Sequence, residues 1–130
     1  MSRSLRGVTR GFMDRRQDPL RVKSRQLGIE VVQYARSVLN NRGVPSIVGQ
    51  LIRSGTASGA ILSEALEAES KKDLIHKLRL ALKEALETDY WLDLIETTGI
   101  DESAALKNMR SLNGEVVAML KASLNTLVNG

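Results

Sequence analysis

Apolar positions recur along this chain at three- and four-residue intervals in four separate runs, the spacing that lines one face of an α-helix. In the first run Leu27, Val31, Tyr34 and Val38 share a stripe flanked by Val32, Ala35 and Leu39. Asp18-Pro19 predicts its start, because an aspartate can accept from orphan amides and a proline at the first helical position loses nothing by lacking an N–H. The pattern stops at Asn40-Asn41-Arg42-Gly43, with Gly43 placed for a left-handed cap. The second run extends from Pro45 to about Ala68, and Val48, Ile52, Gly55, Gly59, Leu62 and Leu66 recur along it. Its middle is crowded with Gly55, Ala57, Ser58, Gly59 and Ala60. Such small side chains let another backbone approach closely, yet the glycines lower intrinsic helicity, so tertiary packing must hold this segment.

The third run opens at Ser70, where Ser70 and Asp73 have the spacing of a capping box. It reaches about Thr98, roughly 43 Å at 1.5 Å per residue, and Gly99 is placed to end it. Leu74, Leu78, Ala81, Ala85, Thr88, Leu92 and Ile95 form one stripe, while Ile75, Leu82, Leu86 and Leu94 widen it. Two stripes on one helix predict two partners, one of them across a subunit boundary. Asp101 is expected to cap a fourth helix, whose face is Leu106, Met109, Val116, Leu120, Leu124 and Leu127 with an interruption at Asn113 and Gly114. No segment alternates with period two and no internal repeat is evident. The expected fold class is all-α: an antiparallel up-down four-helix bundle over residues 18–130.

At 130 residues the chain is one domain that can bury roughly two thirds of the surface exposed by its unfolded form. It contains no cysteine, which excludes disulfides, thiolate metal sites and thiol nucleophiles and makes a cytoplasmic location the default expectation. No run approaches the roughly 18 apolar residues of a membrane span, and the N-terminal residues lack the apolar core of a secretory signal. Charge is distributed unevenly. Residues 1–17 hold Arg3, Arg6, Arg10, Arg15 and Arg16 against Asp14 alone, whereas 14 basic and 14 acidic residues balance from Asp18 onward. The net charge of +4 therefore sits in an N-terminal arm. A cationic arm on a neutral body is the footprint of contact with a polyanion, either nucleic acid or an anionic membrane surface, the alternative being a solvated terminus with no partner. Leu5, Val8 and Phe12 would give the arm an apolar side if it became helical, but Gly7 and Gly11 oppose its forming alone.

Candidate chemistry is sparse. Asp73 and His76 have the i, i+3 spacing found in di-iron bundles, but His76 is the chain's one histidine and a single subunit cannot complete such a centre. Asp73 is better explained as part of the cap, with His76 on a polar or subunit-facing surface. Glu64, Glu67, Glu84 and Glu87 read as a solvated helix face rather than as acid/base pairs. No nucleophile with an identifiable base and no phosphate-binding loop occurs, so neither catalysis nor a cofactor is expected. Aromatic residues number four, Phe12, Tyr34, Tyr90 and Trp91, and the last three fall within helices where core packing is expected. Their scarcity favours recognition of a nucleic-acid backbone or shape over base stacking.

The segment QLIRSGTASGA from Gln50, the SEA at Ser63 to Ala65 and the run SKKDLIHKLRLALKEALETDYWLDL ending at Leu94 resemble the bacterial four helix bundle family, also known as the 23S rRNA intervening-sequence protein family. Asp18-Pro19-Leu20 and Lys23-Ser24 extend the likeness upstream, so that it covers about Asp18 to Leu127. Ile61 stands where the family usually has asparagine, and Ala57-Ser58 replaces the usual Ser-Ile. The resemblance implies an up-down bundle that assembles into a homopentameric ring without enzymatic activity. A more distant branch is the accessory variability determinant of diversity-generating retroelements, a basic pentamer that binds a reverse transcriptase and nucleic acid.

The leading expectation is a non-enzymatic ring that binds RNA or DNA through phosphates, using Arg3, Arg6, Arg10, Arg15 and Arg16 with Arg21, Lys23 and Arg25. The alternative is a protein adaptor that docks a reverse transcriptase or another nucleic-acid enzyme. A third reading makes the arm a membrane-surface or organelle-targeting segment; the bacterial likeness of the body disfavours targeting, and liposome co-sedimentation tests the surface version.

Overall fold

The computed structural model describes residues 18–37 and 44–130. Four helices follow in order: α1 (Pro19–Ser37), α2 (Pro45–Ala65), α3 (Lys71–Thr97) and α4 (Ala104–Asn129). They pack in sequence and close the bundle by contact of α1 with α4. Among the described residues there is no strand. The expected fold, an all-α antiparallel four-helix bundle, is the one observed. The expected N-terminal arm, Val38 and Leu39, and the cap at Gly43 lie outside the described residues.

Local signals set most boundaries. The Asp18 carboxylate accepts from the amides of Leu20 at 3.0 Å and Arg21 at 3.3 Å, and Pro19 opens α1 as predicted. Ser70 Oγ accepts from the Asp73 amide at 2.9 Å, while Asp73 accepts from the Glu69 amide at 3.0 Å, one residue upstream of the cap. Lys77 reaches both oxygens of Asp73 at 2.9 Å. Gly99 adopts φ of 76°, and the Ile100 amide returns to the Ile95 carbonyl at 3.1 Å, ending α3.

Two boundaries differ from expectation. The second helix ends at Ala65 rather than Ala68, because the Glu67 and Ala68 amides return to the carbonyls of Glu64 and Ala65 in a tight turn that buries Ala68. The capping box at Ser70 then commits the Glu69 amide to Asp73. Asp101 does not cap α4. Ser103 does, accepting from the Leu106 amide at 3.3 Å, whereas Asp101 is buried and accepts from Tyr34 Oη at 2.8 Å and Ser103 Oγ at 2.6 Å. This carboxylate ties the α3–α4 connection to α1, a tertiary contact that no local motif could specify.

The predicted stripe of α3, from Leu74 through Ile95, is fully buried. That of α2 is rotated: Leu51, Ser54, Gly55, Ser58, Leu62 and Ala65 face inward, and Ile52 faces outward. The reason lies in two close approaches. A Cβ on Gly55 would stand 2.8 Å from Val31 Cγ2, and one on Gly59 would stand 3.2 Å from the Ser24 carbonyl oxygen. These glycines turn toward α1, which directs Ser54 and Ser58 into the interior. Asn113, expected to interrupt α4's face, is fully buried on it and donates from Nδ2 to the Ala85 carbonyl at 2.9 Å.

A narrow polar waist of Ser54, Ser58, Thr88 and Asn113 thus lies between two apolar clusters. One cluster contains Leu20, Leu62, Leu74, Leu78, Leu120 and Leu127; the other contains Leu27, Val31, Leu51, Leu92, Ile95 and Met109. The Ser54 and Ser58 hydroxyls and Asn113 Oδ1 have no hydrogen-bond partner among the described residues.

The same substitution at two glycines has opposite expected signs. Gly114 is exposed with nothing within 4 Å of an added Cβ, so Gly114→Ala should raise stability by roughly 0.5–1 kcal/mol through helix propensity. At Gly55 the same gain opposes overpacking of about 1–3 kcal/mol against buried Val31, so Gly55→Ala should lower stability by up to about 2 kcal/mol. Urea denaturation followed by circular dichroism measures both.

Candidate nucleic-acid interface

Among the residues expected to contact phosphates, Arg3, Arg6, Arg10, Arg15 and Arg16 lie outside the described residues. The other three begin α1, and helical spacing separates them. Arg21 and Arg25, four apart, share a face toward α2, while Lys23 points toward α4 and pairs with Glu115 at 2.6 Å. Lys23 is therefore engaged within the bundle. Arg21 and Arg25 line a groove of about 850 Å³ between α1 and α2, together with Arg36 one helix length further on. Its floor is made of small groups, Gly28 beside Thr56 and Gly59 beside the Ser24 carbonyl, so that the channel is a by-product of the close helix crossing. Val22 and Val32 stand exposed on its α1 wall.

A second groove, of about 510 Å³, runs between the first turns of α3 and the last turn of α4. Lys71, Lys72, His76 and Arg79 are exposed along it, with no ion pair among the described residues. Sequence reasoning passed over Lys71, Lys72 and Arg79. The available signal was the pair of lysines directly after Ser70, where the positive end of the helix dipole favours acids instead.

Acidic groups gather toward the opposite end of α3. Arg110 sits beside Asp89, Asp93 and Glu96 at 3.6, 3.5 and 3.1 Å. Partial burial opposes its charge, but the Glu96 hydrogen bond and the three carboxylates raise its pKa above the ordinary value. Glu84 and Glu87 are not a solvated face: both engage Arg53 across the α2–α3 contact, Glu84 at 3.0 Å. The Arg53 hydrogen bond, then the Trp91 indole N–H at 3.3 Å, holds the Glu87 carboxyl below its ordinary pKa. Asp73 is lowered first by the Glu69 amide and next by Lys77. Among the described residues no three His, Asp or Glu side chains converge as metal ligands.

Tyr90 is 55% exposed, against the expectation of core packing, and meets Trp91 edge to face with ring centroids 5.1 Å apart. Tyr34 alone of the three helical aromatics is fully in the core, while Trp91 is half-buried. Leu86 is also exposed on the outer side of α3, a turn from Tyr90. The second apolar stripe of α3 is thus partly uncovered within one chain.

Fold and surface together define an antiparallel four-helix bundle with exposed basic side chains along two interhelical grooves. The family model of the 23S rRNA-intervening sequence protein matches residues 20–122, and the chain belongs to that family. A crystal structure from Bacteroides thetaiotaomicron, described as a protein with unknown function from the S23 ribosomal protein family, is 31% identical with a TM-score of 0.77. The match covers 81% of this chain and 97% of that one. No curated protein matches the chain.

The Arg53 contact has an acid-side signature. Because Glu87 has a lowered pKa when folded, first through Arg53, its stabilisation is present above the ordinary carboxylate range and is lost as pH falls through the folded value. Arg53→Met should therefore reduce stability at neutral pH more than in acid. Urea titrations read by the fluorescence of Trp91, the chain's one tryptophan, should show the gap between variant and parent closing as Glu87 protonates.

Proposed function

We propose that this chain is a non-enzymatic, ring-forming bundle that binds RNA or DNA through backbone phosphates. The observation that carries this reading is charge placement: residues 1–17 bring five arginines against one acid to a body that is otherwise balanced. They join the bundle at Asp18, beside Leu20 of the cluster that also holds Leu74 and Leu127. Arginines of this kind neutralise phosphates and release counterions, which gives affinity without base reading. The family description, which refers to a sequence within 23S rRNA, is in keeping with an RNA partner. Exposed Leu86 and Tyr90 on α3 supply an apolar face for self-association into a homopentamer. A ring multiplies the arms on one assembly and so raises avidity for an extended strand.

The same α3 face supports a second reading, an adaptor that docks a reverse transcriptase or a similar enzyme. Both readings place the protein in the cytoplasm. They separate on deletion of residues 1–17, which lowers RNA affinity but preserves ring assembly under the first reading and preserves capture of the enzyme under the second. Light scattering coupled to size exclusion, with and without RNA, measures assembly and binding together. If the five arm arginines each neutralise one phosphate of a single strand, deletion should flatten the log affinity against log salt slope by about 3.5. An affinity that does not respond to salt would refute phosphate binding.

A further inference from the structure

We infer that the groove between the start of α3 and the end of α4 is a second, body-borne contact for single-stranded RNA. The inference rests on the nucleic-acid reading above and adds a site on the folded bundle, independent of the arm. Lys71, Lys72, His76 and Arg79 form its rim, and Ile75, Leu127 and Val128 form its floor. Val128 is 51% exposed there. Lys71 and Arg79 are eight residues apart on one helical row, about 12 Å along the axis, so the rim follows an extended ligand rather than enclosing a point charge.

Two observations identify the occupant as a polyanion. First, Lys71, Lys72 and Arg79 are left over after the carboxylate of Asp73 is consumed. Asp73 is the acid within this stretch of α3, and its oxygens are taken by the Glu69 amide and by Lys77. Second, Lys71 and Lys72 occupy the first turn of a 27-residue helix, where the backbone dipole disfavours positive charge. Ser70 and Asp73 supply the favourable groups of that turn, so the two exposed lysines contribute nothing to the helix and are available to an external partner. Phosphates would satisfy the rim, and exposed Val128 would lie against the sugars of a flexible single strand, a contact made through the backbone rather than by base stacking.

Topology strengthens this assignment. Leu20, two residues from Asp18, shares an apolar cluster with Leu74 and Leu127, so the arm joins the body at the end that carries the groove. Both elements can engage one strand, and the attachment raises the effective concentration of each for that strand.

The test uses the full-length protein and a fluorescein-labelled oligouridylate, with binding read by anisotropy at several salt concentrations. Lys71→Glu combined with Lys72→Glu should weaken binding at least tenfold while raising the unfolding midpoint, because acids now face the helix dipole. That opposition of sign separates lost contact from lost folding. Adding Arg79→Ala should flatten the salt slope by about 2 in total if three phosphates are released. Unchanged binding by these variants, alongside loss of binding on deletion of residues 1–17, would overturn the groove while leaving the nucleic-acid function standing. No binding of oligouridylate or duplex RNA by the parent protein would defeat both. Displacement of the oligouridylate by polyglutamate, at equal charge, as effectively as by unlabelled oligouridylate would show a generic anion surface and overturn the assignment to RNA.

Discussion

The close approach of α1 and α2 at Gly55 and Gly59 is the constraint from which the rest of the bundle follows. There is no room for a Cβ at Gly55 against Val31, and little at Gly59 against the Ser24 carbonyl. Because these two positions must face α1, the helix presents Ser54 and Ser58 to the interior in place of larger apolar groups. Small residues on α3, Ala81 and Ala85, complete a waist that Asn113 closes from α4 by bonding the Ala85 carbonyl. The core is consequently two apolar clusters joined through a polar middle, and the helices cannot slide by a turn without burying the wrong groups.

That fixed register sorts the surface charge. The start of α1 and the start of α3 lie at the end of the bundle that carries Leu20, Leu74 and Leu127. This brings the attachment point of the arginine arm to the end that bears Lys71, Lys72 and Arg79. Asp89, Asp93 and Glu96 lie toward the other end of α3, where Arg110 takes up part of their charge. A chain whose folded portion is neutral in composition thus gathers exposed cations along one groove and carboxylates around Arg110. An overall charge near balance conceals that local grouping.

The interhelical polar contacts do a different job from the grooves. Tyr34, Asp101 and Ser103 join α1 to the connection before α4, with the carboxylate accepting from both hydroxyls in a buried setting. Arg53 clasps α2 to α3 through Glu84 and Glu87 on a more exposed flank. Each removes from the list of available ligands a residue that looks unengaged in the linear chain. The same holds for Lys23, which Glu115 occupies.

The sequence by itself determined the number of helices, the cap at Asp18, the capping box at Ser70, the stop at Gly99 and the inward face of α3. Each depends on residues within a few positions of one another, where dihedral preference, capping and helical period act directly. It also determined that the net charge lies in residues 1–17. Only the tertiary structure decided the rotation of α2, because two glycines read by hydropathy as weak apolar positions are in fact points of contact with another helix. Only it assigned Asp101 to Tyr34, Arg53 to Glu84 and Glu87, and Lys23 to Glu115, pairs separated by 31 to 92 residues. The candidate interface divides the same way: cations are countable in the chain, but which remain unengaged, and which share a groove, depends on packing across helices that no local pattern encodes.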